Sequence, residues 1–235
     1  TELKAYIASN LFSEKKLAEF LEGYQLQYAI QVIAQQNWNQ VWESHFQPIT
    51  VDNFVGVRAH FHPPFTQTQY EIIITPKMSF GTGHHATTYM MMQLMQSMQF
   101  NGKSVFDYGT GTGILAILAA KLGANKILAV DYDDWCIENA SENISQNRVE
   151  FIQLIKGDTA ITNEQYEIVI ANINKNIILD NLSHLAKAVA PNGQVLLSGL
   201  LVEDAVDIIH ATQKLGWKHL QTIQKGIWIA LQFAA

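Results

Sequence analysis

Val105-Phe106-Asp107-Tyr108-Gly109-Thr110-Gly111-Thr112-Gly113-Ile114-Leu115 runs from an apolar strand through a three-glycine turn into an amphipathic helix. In that context a glycine-rich turn meets a nucleotide-like ligand. A glycine lets the backbone approach a ligand, or adopt a positive φ, at little steric cost. Asp131 ends the next strand, about 22 residues past Gly109, where an acidic side chain reaches ribose hydroxyls in dinucleotide folds. The bland alternative is a tight strand-to-helix turn with Asp131 as a cap.

The spacing bears on which ligand the turn would hold. The dinucleotide fingerprint is Gly-x-Gly-x-x-Gly with a pyrophosphate on the helix N-terminus. Here it is Gly-x-Gly-x-Gly, and Asp107 stands two residues before the first glycine. A carboxylate ~5 Å from a phosphate charge costs roughly 3 kcal/mol at an effective dielectric near 20, and favours a cation by as much. S-adenosylmethionine has no phosphate and carries a sulfonium and an ammonium. Electrostatics favours this methyl donor over NAD.

Outward from the turn, the pattern from Lys103 onward is regular. Strands are expected over 104–107, 126–131, 149–155, 167–171, 194–198, 218–222 and 227–233, with helices over 114–122, 134–146, 177–189 and 202–215. Alternation of this kind implies an α/β fold with a mostly parallel sheet covered on both faces. Only Gln224-Lys225-Gly226 separates the last two strands, too little for a crossover, so that pair is antiparallel. The stretch 49–75 is β-rich, broken by Asp52-Asn53 and Pro63-Pro64.

The first third is made of short elements. Strands are expected over 3–7 and 27–34, flanking a helix that Ser13 caps and Gly23 ends. Trp38, Trp42 and Phe46 suggest a linker helix over 37–46. The expected division is a partial N-terminal α+β recognition module over 1–36, a linker over 37–54 and the catalytic domain over 55–235. The chain opens on Thr1 in a strand-like run, so further native residues are expected upstream.

Composition narrows the function. The 235 residues carry 15 Lys+Arg against 21 Asp+Glu, a formal net charge of −6, which argues against a general binder of phosphate backbones and leaves basic proteins and small molecules open. A single cysteine excludes a disulfide framework and a thiolate zinc site. No apolar run approaches the ~20 residues of a membrane span, and a cytoplasmic protein is expected. His84 and His85 lack a partner at ligand spacing, so no metal is assigned.

Asp107-Tyr108-Gly109-Thr110-Gly111-Thr112-Gly113 resembles the first motif of the seven-stranded, Rossmann-like class I methyltransferases. Asp131 resembles their ribose-binding acid, and Gly157-Asp158 the place where many of them meet the adenine amino group. A narrower likeness lies upstream. Thr75-Pro76-Lys77-Met78-Ser79-Phe80-Gly81-Thr82-Gly83-His84-His85-Ala86-Thr87-Thr88 resembles the Pro-Gly-Met-Ala-Phe-Gly-Thr-Gly-Thr-His-Pro-Thr-Thr stretch of PrmA-type methyltransferases, which act on ribosomal protein L11. Asn37-Trp38-Asn39, Ala171-Asn172-Ile173 and Leu197-Ser198-Gly199-Leu200-Leu201 match further family segments. Lys77, His84 and Ala86 depart from the family's Gly, Thr and Pro.

The resemblance implies a monomeric protein N-methyltransferase that uses S-adenosylmethionine on α-amino and lysine ε-amino groups of L11. It puts donor binding on Thr88, Gly109, Asp131 and Asn172, and adds Phe80, Gly81 and Thr82. The glycine turn itself contributes Asp107, Gly111 and Gly113, and Asp158 completes the expected set. Asn172 is the candidate catalytic residue, since a side-chain oxygen beyond a strand end can accept a hydrogen bond from an incoming amine. Thr88 reads equally as a helix cap, and Asn172 as a turn residue beside Asn174 and Asn176. The Met90-Met91-Met92 run reads as core. The alternatives are a related enzyme acting on RNA or a small molecule, or a non-catalytic nucleotide-binding module.

Overall fold

Ser13 takes the chain into its first helix as the sequence predicts. In α1 (Glu14–Leu21) the Ser13 hydroxyl accepts from the Lys16 amide at 3.4 Å, satisfying one of the free donors of the first turn. The computed structural model describes residues 4–22, 24, 28–32, 46–77 and 81–235. Two compact units divide the chain, 1–41 and 42–235. In the first, residues 4–8 and 28–32 are not strands, which corrects the expectation over the described parts of 3–7 and 27–34. A strand needs a partner's ladder to persist, and Tyr6, 78% exposed, shows no packed face. The expected linker helix lies outside the described residues except for Phe46, which is buried in the second unit.

The second unit opens with a three-stranded sheet. β1 (Ile49–Val51) pairs antiparallel with β2 (Val55–Arg58), which pairs in parallel with β3 (Tyr70–Ile73). Asp52 makes the β1–β2 turn at φ +48°. The buried Arg58 guanidinium binds Glu71 at 2.8 Å and the His62 carbonyl at 3.0 Å, which ties down the connection carrying Pro63-Pro64.

α2 (Ala86–Gln96) leads into the main sheet of β4 (Ser104–Tyr108), β5 (Lys126–Asp131), β6 (Gln153–Lys156), β7 (Tyr166–Asn172), β8 (Val189–Leu201), β9 (Lys218–Lys225) and β10 (Trp228–Ala234). Its strand order is β6-β5-β4-β7-β8-β10-β9. The pairings β5–β6, β4–β5, β4–β7 and β7–β8 are parallel, and β10 runs antiparallel to both β8 and β9. This is the seven-stranded sheet that the alternation implied. The last pair is antiparallel as expected, with β10 inserted between β8 and β9. The strand expected over 149–155 is shorter: Val149 and Ile152 are buried in a turn after the preceding helix, so the ladder starts at Gln153.

Four helices connect these strands: α3 (Ile114–Lys121), α4 (Asp134–Gln146), α5 (Lys175–Ala188) and α6 (Ala205–Gln213). Strand alternation sends side chains to two cores. Val105, Ile168 and Ile170 join Met90, Met91, Met92 and Met95 of α2 on one face. Phe106, Val169 and Ala171 join Ile178, Leu185 and Ile208 of α5 and α6 on the other. The methionine run is core, and thioethers suit its irregular shape. Strand order reverses between β4 and β7, and the carboxyl ends at such a switch point form the usual ligand crevice of open parallel sheets.

Candidate active site

At that crevice the glycine turn leaves β4. The Gly109 and Thr110 amides both donate to the Val130 carbonyl, at 2.8 and 3.0 Å, which draws the turn onto the end of β5. Gly109 has φ +76°, and a Cβ there would sit 2.3 Å from Cγ2 of Ile173. No other residue fits that position. Gly111 and Gly113 also have positive φ, and Gly113 caps α3.

The two acids of the turn differ in environment. Asp131 is buried, and both its oxygens are held: Oδ2 accepts from the Gly111 amide at 2.8 Å and Oδ1 from the Asp133 amide at 3.1 Å. Asp107 is 1% exposed. Its Oδ2 accepts from the Thr110 hydroxyl at 2.6 Å, while Oδ1 makes no hydrogen bond of ordinary geometry. Burial drives the Asp107 carboxyl from an ordinary 3.8 up to about 7; the Asp131 charge adds to this, and the Thr110 hydroxyl opposes it.

Thr88 and Asn172, 84 residues apart in sequence, meet here: Asn172 Nδ2 donates to Thr88 Oγ1 at 3.3 Å. Both are buried, and Asn172 Oδ1 has no partner. The alternative roles weighed for them fall to neighbours. His85 caps α2 by accepting from the Thr87 amide, and Asn174 caps α5 by accepting from the Ile177 amide at 3.1 Å. The loop carrying Gly81 and Thr82 closes on the glycine turn, since the Thr112 hydroxyl donates to the Gly81 carbonyl at 2.6 Å. Phe80 lies outside the described residues. Asp158 is exposed past the end of β6, and its carbonyl accepts from the Tyr108 hydroxyl at 2.8 Å.

One positioning group escaped the sequence reading. Asn139, Asn143 and Asn147 line one face of α4 and its exit, all buried. Asn143 donates to the Thr112 carbonyl and accepts from the Thr75 amide, each at 2.8 Å. Asn139 donates to the Thr75 carbonyl at 3.2 Å, and Asn147 accepts from the Ile73 amide at 3.0 Å. Together they stitch β3 and its exit to α4, and Asn143 reaches the glycine turn as well. Asparagine at every fourth position, where apolar residues belong, was the available signal.

The residues present suit a cationic, phosphate-free ligand. Of the buried oxygens without a partner, Asp107 Oδ1 and Asn172 Oδ1 belong to this site, and unmatched buried acceptors call for a donor or a cation. Residues 1–235 match the family described as Ribosomal protein L11 methyltransferase (PrmA). The chain belongs to this family. The Ribosomal protein L11 methyltransferase of Phocaeicola vulgatus is 37% identical over 239 residues, covering 98% of this chain and 85% of its own. That of Porphyromonas gingivalis is 39% identical, covering 99% and 83%. A crystal structure of the ribosomal protein L11 methylase from Lactobacillus delbrueckii subsp. bulgaricus superposes with a TM-score of 0.73 at 29% identity, covering 80% of this chain and 98% of that one.

Two departures from the ribosomal protein L11 methyltransferase pattern acquire partners. Lys77 pairs with Glu142 of α4 at 2.6 Å, and the His84 ring lies 3.3 Å from the Thr82 hydroxyl and edge-on to Phe46. Ala86 is the first residue of α2. Among the described residues no group of three or more His, Cys, Asp or Glu is placed to hold a metal, and no helix is long and apolar enough to cross a membrane.

Proposed function

We propose that this chain transfers methyl groups from S-adenosylmethionine to the α-amino and lysine ε-amino groups of ribosomal protein L11, as a monomer in the cytoplasm. The Thr88–Asn172 pair beside the Asp107 turn carries the reading. When bound, S-adenosylmethionine supplies a methyl group made electrophilic by its sulfonium. Asp131 would hold the ribose, the backbone of 109–113 and 81–82 would approach the donor, Asp107 would meet its positive charge, and Asp158 would serve the adenine.

Asn172 does the positioning. Its Nδ2 is committed to Thr88 Oγ1, so Oδ1 is the atom left to accept an N–H of the substrate amine. An amine held this way keeps its lone pair free for the methyl group, and fixed geometry replaces a costly encounter. The amine must arrive neutral. A lysine of pKa ~10.4 costs roughly 4 kcal/mol to deprotonate near pH 7.4, whereas an α-amine near 8 costs under about 1. Desolvation in the crevice lowers both.

The division of labour follows the expected domains: 1–36 docks the protein substrate, 37–54 links, and 55–235 performs the chemistry. Exposed Tyr6, Ile7, Phe20 and Tyr24 in the first unit support a docking role. A net charge of −6 suits a basic protein substrate better than RNA. Incubation with S-adenosylmethionine and purified L11, followed by intact-mass and peptide mass spectrometry, tests the reading. Methyl groups should appear on the N-terminus and on lysines. An enzyme that binds the donor yet leaves L11 unmodified would overturn it.

A further inference from the structure

Asp107 presents a buried carboxyl with half its hydrogen-bonding capacity unmet. Each element around it brings little that would hold an anion. β5 sets Ala129 beside it in register and ends in the Asp131 carboxylate, and β7 sets Ile170 on the other side. The first turn of α3 contributes uncharged Ile114, Leu115 and Ala116, of which the Ala116 amide alone assists the anion. Thr110 gives its hydroxyl. Tyr108, next on the strand, spends its hydroxyl on the Asp158 carbonyl. The charge whose field reaches Asp107 is therefore a like charge.

Two neighbouring acids in such different surroundings divide the roles. Asp131 has an amide donor on each oxygen, whereas Asp107 Oδ1 has none. We propose that Asp107 carries a proton while the donor site is free and releases it to solvent as the cationic donor enters, so that donor uptake and proton release are one coupled event. The Asp107 O–H bond breaks heterolytically, a buffer base takes the proton, and the carboxylate left behind pairs with the incoming positive charge. The inference rests on the reading of this crevice as the S-adenosylmethionine site. The upward shift of the Asp107 carboxyl to about 7 places the coupling in the physiological range. Affinity then rises about tenfold per pH unit below that value and levels off above it.

The test is calorimetry of S-adenosylmethionine binding to the intact protein, in buffers of low and high ionisation enthalpy. At pH 6.0 the donor's own amine, ordinarily near 7.7–8, is already protonated and contributes no proton. The wild type should release about 0.9 proton there, and Asp107→Asn none. Thr110→Val, which removes the hydroxyl that favours the anion, should release more at pH 7.0 than the wild type does. That variant keeps the test intact if Asp107→Asn does not fold. Equal release from wild type and Asp107→Asn, or donor binding at pH 6.0 without release, overturns the coupling and leaves the methyltransferase reading standing. A wild type that fails to bind S-adenosylmethionine at any pH removes both.

Discussion

Two aspartates, one asparagine and a few ångströms decide what the crevice can hold. Asp131, at the end of β5, spends its oxygens on the Gly111 and Asp133 amides. Asp131→Ala should weaken S-adenosylhomocysteine binding at least fivefold, at ~1–3 kcal/mol for charged hydrogen bonds lost; a folded variant with unaltered affinity by calorimetry sinks the ribose assignment. The raised Asp107 carboxyl has a stability consequence with a definite sign. Between its unfolded value near 3.8 and its folded value of about 7, the native state binds the extra proton, so this group's contribution is full below that window and is lost as pH rises through it. The stability advantage of Asp107→Asn over wild type should therefore grow by about 3 kcal/mol from pH 5 to pH 8. Chemical denaturation at the two pH values measures this, and a pH-independent difference contradicts it. Asn172→Ala should lower single-turnover methylation by about 10²-fold, the scale of a misplaced reactant, with donor affinity changed far less; a normal rate would remove Asn172 from the chemistry.

At the scale of elements, the site depends on contacts between segments that are locally unremarkable. Asn143 on α4 joins the exit of β3 to the glycine turn through two buried hydrogen bonds. Asn143→Ala strands the Thr75 amide and deprives the Thr112 carbonyl, at about 1–3 kcal/mol for each buried group. The melting temperature should drop by at least about 5 °C, given ~2–4 °C per kcal/mol at this chain length, and donor affinity should drop with it. A melting curve superposable on wild type would show that the asparagine face is dispensable. The elements that periodicity announced are those whose cause is local. α4 occupies the expected span 134–146, and β5 its full 126–131, because a capping Asp133 and a run of apolar residues act within a few positions. β6 was overextended because Val149 and Ile152 carry the same apolar signal whether they anchor a turn or pair in a ladder.

For the whole molecule, the proposed separation of docking from chemistry is open to a deletion. Removing residues 1–41, one of the two compact units, should leave S-adenosylhomocysteine affinity within about twofold and cut L11 methylation at subsaturating substrate by at least about tenfold. A tenfold loss is ~1.4 kcal/mol of remote binding energy; equal methylation rates would place docking elsewhere. The glycine turn, its acid at Asp131 and the α/β alternation were legible in the residues alone. A positive φ admits glycine by local sterics, and periodicities of two and near four distinguish strand from helix without reference to the rest of the chain. The meeting of Thr88 with Asn172, the insertion of β10 between β8 and β9, and the stitching by Asn139, Asn143 and Asn147 were not. Each joins segments far apart in sequence, and the proton affinity of Asp107 is likewise set first by its burial in the assembled sheet. Local residues set what the turn can become. Burial, which withholds water and counter-charge from the Asp107 carboxyl and leaves the Asn172 amide oxygen unmatched, is a property of the assembled fold.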